Sequence, residues 1–246
     1  GLIKRCKLKI FIISLATAKN RREDITQQIT KLGLKAEFFD AIDGRHNKKH
    51  PLFLHYDTDA RKKIYKEPLT GSELGCWASH YLLWQRCLKD NVPFLIFEDD
   101  IVINPRLPSL LNHLSEVSEE YVYLRLAGIY EDKPSLFVTN FKGIKIRRFT
   151  EGVCGTQGYI LHPRGAEKLL EAAKQWIHPV DIFLDRYWDH GVPSLSVVPW
   201  LVSLKDMGSD IERGHKLKLS RFQRLHKEWL RFADRVKRFF FNLNHP

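Results

Sequence analysis

Residues 8–44 set the kind of sheet this chain builds. An apolar, β-branched run, LKIFIISL, leads into KNRREDITQQITKLGL, where Ile25, Ile29 and Leu32 recur at helical spacing and Gly33 stops the pattern. KAEFFDAIDG then reads as a second strand that ends in a polar turn. Strand, helix and strand in this order form a βαβ unit, which favours parallel pairing and a right-handed crossover. The basic lead, the short apolar run and the following Ala-Thr-Ala also have the outline of a signal peptide. The strand reading is preferred, because the later sequence is built to follow it.

The alternation continues. Residues 45–68 are charged and His-rich and read as a surface loop. Thr70 and Glu73 have capping-box spacing, so a helix is expected from there to about residue 90. FLIFEDDIVI (94–103) is a third strand, followed by a helix near 107–118, the strand YVYLRLA, and two hairpin-like strands near 135–150. GTQGYILHPRGAEKLLEAAKQW reads as a strand and a helix with Pro163 in its first turn. PVDIFLDRYWDHG reads as a short helix and PSLSVVPWLVSL as a last strand. The pattern is that of an α/β fold. With 246 residues, 43% of them hydrophobic, the chain can bury a sizeable core, and no stretch has the apolar length needed to span a bilayer.

The chemistry concentrates in FLIFEDDIVI. Glu98, Asp99 and Asp100 follow a buried strand directly, where adjacent carboxylates repel one another. In α/β sheets, ligands bind outside the carboxyl ends of strands. Oxygen ligands suit Mg2+ or Mn2+, which often bridge to substrate phosphates. On an extended chain Glu98 and Asp100 share one side, so Asp100 is the expected metal ligand, Glu98 faces metal and nucleotide, and Asp99 braces the turn or the sugar. The plain alternative is a solvated strand end. The four cysteines are widely spaced, with no zinc-type Cys/His cluster, and read as reduced thiols of a cytosolic protein.

Five blocks in order over residues 8–211 resemble glycosyltransferase family 25, which includes bacterial lipooligosaccharide galactosyltransferases and collagen galactosyltransferases. The first block carries Ser14-Leu15, Arg21-Arg22, Leu32-Gly33 and Asp43-Gly44; the second is LTGSELGCWASH, the third LIFEDDI, the fourth GTQGYILHPRGAEKLL and the fifth HPVDIFL. The resemblance implies a GT-A-like single domain over 1–215, with a mixed, mainly parallel central sheet, and an inverting, metal-dependent transfer from a UDP-sugar. Contacts to the nucleotide sugar are then expected from Ser14, Leu15, Arg21, Arg22, Asp43, Glu98, Asp99, Thr156, Gln157 and Ser209. Asp100, Glu98 and His215 are expected at the metal. Glu-Asp-Asp departs from the Asp-x-Asp order usual in GT-A enzymes.

Inversion needs a general base, and Asp181 is the candidate, with Asp185 as substitute; a plain helix-start acid is the alternative for Asp181. Glu73 reads first as a cap, and His80 as a satisfied core histidine. Thr156 and Gln157, between two glycines, meet ligand or form a bulge. Ser209 and Asp210 resemble the family's terminal motif. Trp188 and Trp200 stack on an acceptor sugar or fill the core.

The charge is uneven. Residues 216–246 carry nine Lys/Arg against two acids, a net +7, which leaves +4 for the first 215 residues. Phe222, Leu225, Trp229, Phe232, Val236, Phe239 and Leu243 form a stripe on this basic amphipathic helix. The helix lies on an anionic membrane, pairs with a second copy, or packs on its own domain. A lipid-linked oligosaccharide acceptor, galactose as the sugar, and a location at the cytoplasmic face of a bacterial inner membrane follow as expectations. No nucleic-acid partner is expected. The rival readings are a metal-dependent phosphohydrolase and a basic binding protein for membrane or nucleic acid.

Overall fold

The computed structural model describes residues 8–65, 67–205 and 221–244, with side chains in the last segment from residue 228. In chain order the elements are β1 (Lys9–Ser14), α1 (Lys19–Lys31), β2 (Glu37–Asp40), α2 (Thr58–Ile64), α3 (Gly71–Asp90), β3 (Phe94–Glu98), β4 (Ile101–Ile103), α4 (Leu107–Tyr121), β5 (Tyr123–Arg125), β6 (Ser135–Phe141), β7 (Ile144–Phe149), β8 (Gly158–Leu161), α5 (Pro163–Ala172), α6 (Val180–Asp185), α7 (Tyr187–His190), β9 (Leu195–Val198), β10 (Val202–Leu204) and α8 (Arg221–Asn244). An eight-stranded mixed sheet runs β2-β1-β3-β8-β5-β9-β7-β6. β1 is parallel to β2 and β3, and β5 to β9; the other neighbours are antiparallel.

Period-two alternation sends side chains to two cores. Ile10, Ile12, Leu95, Phe97 and Ile160 pack with Ile25 and Ile29 of α1 and with Leu110 and Leu114 of α4. Phe11, Ile13, Phe94, Ile96 and Leu161 pack on the other face with Trp77 and Trp84 of α3, Leu169 of α5 and Phe183 of α6. The result is the α/β domain with a mixed sheet and a C-terminal helix that the sequence predicts, consistent with a GT-A-like architecture.

Three local expectations change. The segment 45–68 is not wholly irregular: it holds a 3-10 turn, Pro51–His55, and α2, which Asp57 caps by accepting from the Ala60 N–H at 2.8 Å. The last strand divides at the cis Val198–Pro199 bond, and β10 leaves the main sheet to pair with β4. The short helix after Pro179 is two, α6 and α7, separated by non-helical Arg186. The capping box at α3 forms in both halves, with Thr70 Oγ1 accepting from the Glu73 N–H and Glu73 Oε2 from the Thr70 N–H.

α8 rests on the body through polar side chains and through Phe241, whose ring meets Tyr187 edge-on. Arg186 makes two hydrogen bonds to Asp234, at 2.6 and 2.7 Å, and Asn242 accepts from Arg148 and Tyr187. From Trp229 on, the stripe faces outward: Trp229 is 63% exposed, Phe232 62% and Leu243 60%. The expected domain boundary at 215/216 lies outside the described residues.

Candidate active site

Parallel strands β1 and β3 end side by side, and the candidate site is built on those ends. Four buried residues, Phe94–Phe97, carry the chain to Glu98, where it bends and restarts as β4. The bend lets the three carboxylates diverge. Asp99 accepts a 2.6 Å hydrogen bond from Ser14 Oγ and one of 3.4 Å from Arg21 Nη1, which ties the two strand ends together. Asp99, expected to brace the turn or the sugar, holds the ends of β1 and β3 to each other here.

The arginine pair divides its work. Arg22 donates to the Ser14 carbonyl at 2.8 Å, to the Leu15 carbonyl at 3.1 Å and to Asp40 at 2.5 Å. Arg21 lines the cavity and Arg22 does not. Arg22, expected at the donor, is held by the backbone at the end of β1 and by Asp40, outside the lining of this cavity.

That cavity, about 420 Å³, is walled by Ser14, Leu15, Arg21, Asp43, Asp99 and Asp100, with Glu98 at its inner end. Asp43 is clasped by Arg45 at 3.1 Å and His46 at 2.8 Å, which hold its carboxyl well below the usual range. The Asp43 loop touches the start of α3 backbone to backbone. A Cβ on Gly44 would strike the Gly71 carbonyl, and one on Gly75 the Ile42 carbonyl.

Glu98 meets three groups. It accepts from the Thr156 hydroxyl, and His80 Nε2 lies 3.5 Å from its Oε1. Burial pushes its carboxyl up, but His80, Thr156 and Arg21 outweigh this and hold it below the usual value. His80 is fully buried, with Nδ1 2.7 Å from Tyr159 Oη, which also accepts from Trp84 Nε1 at 2.9 Å. The Tyr159 hydroxyl thus joins the Trp84 indole to the His80 ring. His80 is buried as expected, yet it is not a satisfied core histidine, since Nε2 lacks a hydrogen-bond partner and the ring lines the cavity.

Two donor sets for a cation lie here. Asp100 Oδ1 is buried without a hydrogen-bond partner. Burial and the charge of Glu98 push the Asp100 carboxyl up, and a cation would relieve this. Glu98 and Asp100 line one cavity and offer the hard oxygens that Mg2+ or Mn2+ takes, so these residues fit a divalent ion. Cys76, His80 and Glu98 also bring ligand atoms within 4.8 Å of one another. Burial and Glu98 push the Cys76 thiol well up, which keeps it protonated and makes this the poorer set for a hard cation. This triangle is a Cys/His cluster that the sequence reading did not identify.

A second cavity, about 390 Å³, shares Glu98 and Cys76 with the first and is lined by Thr156, Gln157 and Asp181. Glu73 reaches it too, beside its capping role. Burial pushes the Asp181 carboxyl up, against a 2.9 Å hydrogen bond from the Ile182 N–H. Asp185 is differently placed: it pairs with buried Arg125 at 3.0 Å and accepts from the Cys154 N–H at 3.0 Å. Trp200 stacks on Phe149, a packing role, whereas Trp188 lines a cleft beneath α8. Ser209, Asp210 and His215 lie outside the described residues.

The structure adds Cys76, Tyr159 and Arg45 to the surroundings of the site. Cys76 and His80 carry a readable signal, since residues four apart share a helix face. Nothing in the sequence places Tyr159 beside His80.

The model of "Glycosyltransferase family 25 (LPS biosynthesis protein)" matches residues 7–184. A putative glycosyltransferase of Haemophilus influenzae is 31% identical over 71% of this chain and 60% of its own length. The lipooligosaccharide biosynthesis protein lic2B of the same organism is 26% identical over 65% of this chain and 61% of its own. Procollagen galactosyltransferase 1-A of Xenopus laevis is 28% identical over 74% of this chain and 31% of its own. The chain thus spans less than two thirds of each of these relatives. The matched region ends within α6 and takes in the residues that line both cavities. The strand ends that gather Ser14, Asp99 and Glu98, and the helix start that carries Asp181, all fall inside it, and the chain belongs to glycosyltransferase family 25.

Proposed function

We propose that the protein transfers a hexose, galactose from UDP-galactose, to a lipooligosaccharide or lipopolysaccharide glycan with inversion at the anomeric carbon. The observation that carries this reading is the meeting of two cavities at Glu98, one walled by Arg21, Asp99 and Asp100, the other by Asp181. A donor in the first places its anomeric carbon near the junction, and an acceptor in the second places its hydroxyl beside Asp181.

In this mechanism Asp181 takes the proton of the acceptor hydroxyl as that oxygen bonds to the anomeric carbon. The bond from that carbon to the UDP oxygen breaks, and UDP leaves with the bonding pair. Burial raises the Asp181 carboxyl, which makes its carboxylate a stronger base than an exposed one. Mn2+ or Mg2+ bound by Asp100 and Glu98 would neutralise the charge developing on the diphosphate. Arg21 supports the same charge from the cavity wall, and Asp99 with Ser14 keeps the wall in place. His215 as a further metal ligand and Ser209 as a donor contact belong to the proposal.

The outward stripe of α8 favours a peripheral site on anionic lipid at the cytoplasmic face of a bacterial inner membrane, with aromatic residues in the interface and Lys/Arg at the headgroups. A homodimer through the same stripe is the other outcome.

Calorimetric titration with UDP, UDP-galactose and UDP-glucose, with and without Mn2+, tests the donor. Mn2+-dependent UDP binding and tighter binding of UDP-galactose are expected. Absence of binding to all three with Mn2+ present would overturn the UDP-sugar reading, and hydrolysis of simple phosphate esters would then favour the phosphohydrolase.

A further inference from the structure

A third cavity, about 440 Å³, lies between α6–α7 and α8 and is lined by Cys154, Arg186, Trp188, Arg231, Arg235 and Arg238. Ile182 lines this cleft and the Asp181 cavity alike, so the two adjoin at the residue next to the proposed base. The cleft therefore adjoins the cavity proposed for the acceptor.

Its charge is one-sided where it is free. Two carboxylates line it, and both are committed: Asp234 to Arg186 through two hydrogen bonds, and Asp185 to Arg125 at 3.0 Å. Arg231 holds Glu228 at 2.6 Å, and Arg238 is 4.0 Å from Glu151. Arg235 has no ion-pair partner among the described residues. The Trp188 indole N–H is buried without an acceptor, and the Arg186 guanidinium lies 5.2 Å from the centre of its ring. Planar guanidinium groups match the paired oxygens of phosphate and carboxylate, and an aromatic wall suits a sugar face. A neutral glycan has no use for three arginines; one bearing an oxyanion does.

We propose that this cleft is an acceptor subsite, and that it selects a glycan carrying a phosphate or carboxylate substituent held by Arg231, Arg235 and Arg238. The proposal rests on the transferase reading and names the acceptor class for it. It also gives α8 two jobs, since its polar side walls the subsite while its apolar side faces away. An acceptor anchored in lipid would pass along this helix before its hydroxyl reaches Asp181.

The test is titration of the full chain with glucose 6-phosphate and with glucose, with and without saturating UDP. The component that UDP does not displace reports the cleft, and the doubly substituted Arg231→Ala/Arg235→Ala chain is titrated in parallel. Expected are preferential binding of the phosphorylated sugar in the presence of UDP, and a loss of about tenfold or more in the doubly substituted chain. UDP binding by that chain reports that its fold is intact. Equal binding of the two sugars, or a preference that survives the substitutions, overturns the proposal. So does a doubly substituted chain that keeps glucose 6-phosphate but no longer binds phosphatidylglycerol vesicles, because the arginines then serve lipid headgroups. Failure of UDP itself to bind would strike the donor reading and leave the cleft component measurable through the arginine substitutions.

Discussion

His80 Nε2 lies 3.5 Å from Glu98 Oε1, and its other ring nitrogen is held at 2.7 Å by Tyr159. A run of buried polar contacts, Trp84 to Tyr159 to His80, thus ends beside a carboxylate shared by two cavities. Tyr159→Phe removes the partner of two buried groups at once. It is expected to cost about 1–3 kcal/mol of stability. Urea denaturation measures that cost, and UDP titration is expected to show weaker binding as Glu98 loses its orientation. Unchanged stability would mean that the Tyr159 hydroxyl is not the link.

Asp100→Asn should separate stability from function. The folded protein raises the Asp100 carboxyl above its unfolded value, so ionised Asp100 opposes folding at neutral pH. That penalty is absent below the unfolded value and grows as pH rises through the folded one. Asn removes it, and the variant is expected to melt at or above the wild-type temperature at pH 7 while losing metal-dependent UDP binding. A lower melting temperature with UDP binding intact would show the opposite assignment.

Asp181→Asn is expected to lower kcat by about a hundredfold to ten-thousandfold, with UDP affinity retained. Because burial raises the Asp181 carboxyl, the acid limb of the pH–rate profile should sit above the ordinary carboxylate range, with activity lost as pH falls through it. The variant should lack that limb. A comparable loss in Asp185→Asn would more simply reflect the broken pair with Arg125 and is distinguished by its lower stability.

Gly75→Ala is expected to destabilise the protein by about 1–3 kcal/mol, because the new methyl meets the Ile42 carbonyl across a backbone contact. The Asp43 loop would move with it, so UDP affinity should fall even though the residue lies on a helix. A thermal melt and a UDP titration together check both effects.

Much of this was legible before the structure. The capping box at Thr70, the buried strand before Glu98 and the helical spacing of Ile25 and Ile29 are local signals, and each element formed where those signals lie. The division of labour within the site was not legible. Arg21 and Arg22 are neighbours of the same type, and only the path of β1 decides which one meets the backbone. The break at Pro199 and the partnership of β10 with β4 are tertiary facts, since an apolar run reads alike in either sheet. Asp185 looked like a substitute base until Arg125, sixty residues earlier, appeared beside it.

The α8 helix touches the domain through the Arg186–Asp234 pair, Asn242 and the Phe241 ring, and faces outward with hydrocarbon and aromatic rings. Its two sides therefore answer ionic strength in opposite senses. Salt screens the Arg186–Asp234 clasp, whereas sulfate strengthens the burial of an apolar face. Fluorescence of Trp229 across a sulfate series should report both responses.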